Sequence, residues 1–144
     1  MQSAMSEYSH LLRALPYEKE FLFIDGIIFL DMQKLHVRTR YSYRSTTPMI
    51  RAHFSGRYVS GNLLTEQVCQ TALLLLTAVC GCDPARDIYL GKVTSDYSKP
   101  VRPDREVFAD VQLLKQQPPA FLFKGAIFDD NEKSAIIQAA AFIR

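Results

Sequence analysis

The sequence predicts an α+β domain in which one antiparallel sheet wraps one long helix. Three observations carry this expectation. Two strand-like runs, FLFIDGIIFLD at 21–31 and KLHVRTRYSY at 34–43, lie near the start; an apolar stretch runs from Gly61 to about Cys80; and four more strand-like segments follow it. Strands on both sides of a lone buried helix, without alternation of the two, argue for a sheet folded around that helix rather than a parallel layered fold. At 144 residues the chain fits one domain, 1–144.

Residues 6–14 suit a short helix, which Leu15-Pro16 ends because proline disfavours helical geometry in its predecessor. In 34–43, Leu35, Val37, Tyr41 and Tyr43 alternate with His36, Arg38, Arg40 and Ser42, the period of a half-buried strand, so the first two runs form a hairpin. Residues 44–60 show no sustained period and form a loop. Gly61-Asn62 opens the helix, with Asn62 as the capping side chain. Apolar residues point in nearly every direction around its second half, which predicts a helix surrounded by protein. Strands are expected at 88–94, 106–115, 120–128 and 134–143, with SKPVRPD, QQPP and DDNEK as the turns between the last ones.

Several function classes are disfavoured. Seventeen basic against fifteen acidic residues leave a net charge of +2, far from the basic excess of a nucleic-acid-binding face. Cys69, Cys80 and Cys82 match neither a disulfide framework nor a zinc set and read as reduced thiols, so no metal is expected. The N-terminus lacks the basic start and long apolar run of a secretory signal, which points to the cytoplasm. The apolar helix carries Thr65, Glu66, Gln67, Gln70 and Thr71 in its first half, and so reads as a core helix rather than a membrane span.

Chemistry concentrates in RAHFSGRYVSGNLLTEQVCQ, residues 51–70. Asn62, Glu66 and Gln70 fall at i, i+4 and i+8, one polar stripe on an apolar rod. A carboxyl group among leucines is desolvated, which raises its pKa and suits Glu66 to act as a general acid. His53 is suited to take a proton near neutral pH. The unpaired amides where Gly61 opens the helix carry partial positive charge and can hold an oxyanion. Base, acid and oxyanion donor together specify proton abstraction beside a carbonyl. His10 and His36 lack such surroundings and read as surface groups.

The same residues resemble the β-hydroxyacyl-acyl-carrier-protein dehydratases of fatty-acid and polyketide synthesis, over most of the chain. Leu15-Pro16, Phe21-Leu22 and Asp25 look like that family's entry motif, and His53-Phe54-Ser55-Gly56 resembles its His-Phe-Pro-Gly loop. Gly61, Glu66 and Gln70 resemble its Pro-Gly turn and Glu-x-x-x-Gln helix, and Lys99-Pro100-Val101 with Pro103-Asp104 its Arg-Pro-Val-x-Pro-Gly-Asp strand. Ala52 stands where the family has glycine, Ser55 and Ser60 replace prolines, and Tyr17 replaces the entry histidine.

The resemblance implies a homodimeric hotdog fold in which His53 of one subunit meets Glu66 of the other beside an acyl tunnel. His53 would take the C2 proton, Glu66 would protonate the leaving hydroxyl, and Gly61 would hold the thioester carbonyl, with no cofactor. Phe54, Tyr58, Val59, Asn62, Gln70 and Tyr97 are candidate substrate contacts. Arg51, Arg57, Lys99, Arg102 and Arg105 are candidates for a pantetheine phosphate or an acidic acyl carrier protein, with coenzyme A as the other thioester carrier. Two alternatives stay open: an acyl thioesterase on the same fold, and a catalytically silent acyl-binding subunit.

Overall fold

The computed structural model describes residues 2–81 and 88–143, with side chains described from residue 8 onward. Cys82 lies outside the described residues. The chain starts with helix α1, Gln2–Ala14, longer at its start than the sequence suggests, and a 3-10 turn at Lys19–Phe21. Strands β1, Gly26–Asp31, and β2, His36–Ser42, follow; then come a short helix α2, Pro48–Arg51, a second 3-10 turn, Phe54–Gly56, and the long helix α3, Gly61–Cys80. Strands β3, Ile88–Tyr97, β4, Glu106–Gln117, β5, Ala120–Asp129, and β6, Glu132–Ile143, complete one antiparallel sheet in the order β1-β2-β4-β5-β6-β3. The expected architecture is present. Each of the last four strands is longer than its sequence signal, and β3 leaves sequence order to pair with β6 at one edge.

The sheet curls around α3 because its strands alternate. Val107, Ala109, Val111 and Leu113 of β4 and Phe121, Phe123 and Ile127 of β5 point inward and are buried, as are Leu64, Val68, Leu74, Leu75 and Leu76 of the helix. Gly125 of β5 lets the two elements touch: a Cβ there would lie 2.4 Å from Val68 Cγ1. Buried polar side chains of α3 fix its register against the sheet. Tyr43 donates to Gln67 Oε1 at 2.7 Å, Gln67 donates to the Val107 carbonyl, and the Thr39 and Thr71 hydroxyls meet at 2.8 Å.

Three expectations need correction. The run 21–31 is strand only from Gly26, because residues before it bond to the helix: Phe23 N–H donates to Gln70 Oε1 at 2.8 Å and Gln70 Nε2 to the Phe21 carbonyl at 2.7 Å. The helix cap is Ser60, not Asn62; Ser60 has extended backbone and its hydroxyl accepts from the Asn62 amide. Gly81, at φ 58°, ends the helix in the left-handed conformation that glycine tolerates best. The helix is the buried core element expected, with Thr71, Ala72, Leu74, Leu75, Leu76 and Thr77 all buried, while its first half keeps an open face on which Asn62 is exposed and Thr65 and Glu66 are half-buried. His36 is not a plain surface group: its Nε2 lies 2.5 Å from Asp110 Oδ1 and its ring sits edge-on to Phe29.

Candidate active site

Glu66 sits on the open face of α3, one turn and a half into the helix, and lines a pocket of about 100 Å³. Tyr17, Cys69 and Tyr89 supply the other polar atoms there; Leu73, Leu76, Leu90 and Phe123 make the walls apolar. Burial pushes the Glu66 carboxyl above its ordinary 4.5, opposed by the hydrogen bond it accepts from Gln70 Nε2 at 3.2 Å. Burial, helped by the nearby Glu66 charge, pushes both Tyr17 and Cys69 up to about 12. Tyr17 therefore remains a phenol, a hydrogen-bond donor, wherever Glu66 titrates. The sequence pattern marked Tyr17 only as a departure from the entry motif; nothing in its spacing places it beside Glu66.

Gln70 lies on the same stripe yet is fully buried. Its carbonyl oxygen accepts from Phe23 and its amide donates to Phe21 and Glu66, so it holds the entry segment and orients the acid. Within this chain the contacts of the Gln70 side-chain amide, expected as a substrate contact, are with Phe21, Phe23 and Glu66.

His53 comes from the loop between α2 and α3. Its Nδ1 lies 2.9 Å from the Tyr58 carbonyl, which can only accept, so Nδ1 bears a hydrogen and the neutral ring is the tautomer with its lone pair on Nε2. The ring packs edge-on to Phe54 at 4.7 Å between centroids. The backbone beyond it runs through three left-handed residues, Phe54, Ser55 and Gly56, at φ 48°, 54° and 78°. Proline is locked near φ −65°, so this turn is closed to a proline at position 55 and open to the serine found there. The loop lacking proline at 55 is thus a differently shaped loop. Phe54 itself is 62% exposed.

Gly61 opens a second cleft of about 470 Å³, lined by Val59, Ser60, Asn62, Leu64, Tyr97 and the stretch 98–101. Its amide is the first of the helix and has no carbonyl within the helix to bind. Val59 is buried and anchors the loop by donating to the Val101 carbonyl at 2.8 Å.

The basic candidates divide. Arg51 and Arg57 are exposed, and Arg102 lies over the Tyr58 ring. Lys99, expected as a phosphate contact, is already paired with Glu132, and Arg105 with Asp129 at 2.9 Å. Within one chain Gly61, Asn62, Val59 and Lys99 share the larger cleft, while Glu66 lines the smaller pocket and His53 the preceding loop. Among the described residues no three His, Cys, Asp or Glu side chains gather where a metal ion could sit.

No family model matches the chain. It is 26% identical over 138 residues to the 3-hydroxyacyl-[acyl-carrier-protein] dehydratase FabZ of Albidiferax ferrireducens, covering 93% of this chain and 91% of that one. Its backbone is similar to that of a phenylacetic acid degradation-related protein from Ralstonia eutropha, with a TM-score of 0.72 at 15% identity over 94% of this chain and 98% of the other. A hypothetical thioesterase from Streptococcus pneumoniae, solved with coenzyme A, gives a TM-score of 0.66 at 12% identity over 98% and 97% of the two chains. The sheet wrapped on one helix is the hotdog fold that these structures share, and the chain is similar to dehydratases of the FabZ kind.

Proposed function

We propose that this FabZ-like hotdog chain is a cytoplasmic dehydratase that removes water from a 3-hydroxyacyl thioester carried on acyl carrier protein, working as a homodimer without a cofactor. The observation that carries the reading is the environment of Glu66: a carboxyl group raised by burial, aimed into an apolar pocket and held by Gln70. A structural carboxylate gains nothing from such a place; a general acid needs it. His53 supplies the complementary half, because its Nδ1 is committed to Tyr58 and Nε2 is left as a base.

In the proposed reaction His53 Nε2 takes the C2 proton. The electron pair moves to the carbonyl oxygen, which the Gly61 amide stabilises, and returns to form the C2–C3 double bond as the C3 hydroxyl leaves with the Glu66 proton as water. Removing one oxyanion donor in other enzymes costs about 10²–10³ in rate, the scale expected of Gly61. The dimer is supported by the edge strand β3, ten residues long and paired on one side only, which exposes Tyr89, Leu90, Val93 and Tyr97. A long apolar edge of this kind invites a partner strand.

A second reading, hydrolysis of an acyl thioester, is favoured by one observation: the left-handed turn after His53 differs from any that a His-Phe-Pro-Gly loop can form, and so alters how the imidazole meets the carbonyl. The coenzyme A-bound neighbour, a hypothetical thioesterase, agrees with that chemistry. Mass spectrometry of a 3-hydroxyacyl carrier-protein substrate separates the two. The dehydratase reading expects a loss of water with the thioester intact, abolished in His53→Ala; free acid, or turnover unchanged in that variant, would rule it out.

A further inference from the structure

We propose that Tyr97 is a positioning residue that sets the first turn of α3 and thereby aims the Gly61 amide into the larger cleft. The inference rests on the reading of Gly61 as an oxyanion donor and adds the device that holds it. Tyr97 is the last residue of β3, and its ring lies flat against Gly61: a Cβ on Gly61 would sit 2.9 Å from Tyr97 Cζ and 3.0 Å from Cε1. Any side chain at 61 would displace that ring.

The hydroxyl does the rest. It donates to the Gly61 carbonyl at 3.0 Å and meets Thr65 Oγ1 at 2.5 Å, and Thr65 Oγ1 in turn meets Ser95 Oγ at 2.9 Å. One order of donors satisfies the chain: Ser95 to Thr65, Thr65 to Tyr97, Tyr97 to the Gly61 carbonyl. The hydroxyl holds the Gly61 carbonyl while the ring packs against Gly61 itself, so the two contacts together fix, from the strand side, the residue whose own amide finds no partner in the helix ladder. Strand β3, pinned along β6, therefore fixes the orientation of a group on α3. Because a negative oxygen develops at the same carbonyl in dehydration and in hydrolysis, the positioning serves either reaction.

The test uses Tyr97→Phe in the full chain, which keeps the ring and removes the hydroxyl. Hydrogen exchange should speed up about fivefold at the bonded amides that open α3, those of Asn62, Leu63 and Leu64, the effect of losing one net hydrogen bond, and stay unchanged in the rest of the helix. With a 3-hydroxyacyl or a simple acyl thioester as substrate, whichever is turned over, kcat should fall roughly tenfold with KM nearly constant, as expected when an oriented group is misplaced. Thr65→Val should share the loss and Thr65→Ser should restore it. Unchanged exchange in Tyr97→Phe, or a loss confined to KM, would overturn the proposal and leave Tyr97 a wall of the cleft. Should the wild-type chain turn over neither substrate, the functional reading fails by itself, and the exchange measurement still decides whether Tyr97 holds the turn.

Discussion

Glu66 shows how one side chain can work against the fold that holds it. Its carboxyl is raised above 4.5 by burial, so the native state binds that proton more tightly than the unfolded chain does. The stability from this tighter binding is fully present below pH 4.5 and is lost as pH rises through the raised native value. Glu66→Gln, which cannot ionise, should therefore match the wild type in acid and exceed it at neutral pH. Allowing for the partial exposure of the site, the gain in Tm should be roughly 2 °C. The same variant should lose dehydration by at least about a hundredfold, the scale of general acid catalysis. Thermal melts at pH 4 and pH 7.5 check the first part; equal pH dependence in both proteins would contradict it. His53 and Glu66 are legible in the sequence because their residue types and spacing are unusual for a loop and an apolar helix. Tyr17 is not, since it reaches the site through the fold rather than through its neighbours in sequence, and Tyr97 is legible only as a candidate wall of the site, not as the partner of Gly61.

At the scale of elements, α3 and its sheet are held by close approach and by buried amides. Gly125→Ala would place a methyl group 2.4 Å from Val68 Cγ1 and 3.2 Å from Val111 Cγ2, forcing helix and strand apart. A loss of about 1–3 kcal/mol in chemical denaturation is expected, the usual cost of overpacking. Val68→Ala in the same chain should recover part of it; an additive loss would show that the contact is not the cause. The helix itself is easy to read from its apolar run, as are the alternating strands β2, β4 and β5. The segment 21–25 misleads because its hydrophobic pattern is that of a strand while Gln70, 47 residues from Phe23, takes the backbone bonds a neighbouring strand would have made. The cap misleads for a smaller reason: Ser60 and Asn62 flank Gly61, and only the extended backbone at Ser60 selects between them.

At the scale of the molecule, the proposed reaction calls for a second copy of the chain. Edge strand β3 bears an apolar outer surface, and beside it the open face of α3 carries Asn62, Thr65 and Glu66. A second copy covering both would bring its own His53 loop to this Glu66, which no pattern within a single sequence can display. The most direct test mixes two inactive proteins, His53→Ala and Glu66→Gln, under conditions that let subunits exchange. If His53 and Glu66 act across the interface, each mixed dimer regains one complete site, and the mixture should recover about a quarter of wild-type dehydration, half the dimers being mixed with half their sites intact. If both residues act within one chain, every site lacks a partner; a mixture that forms mixed dimers and stays inactive contradicts the account.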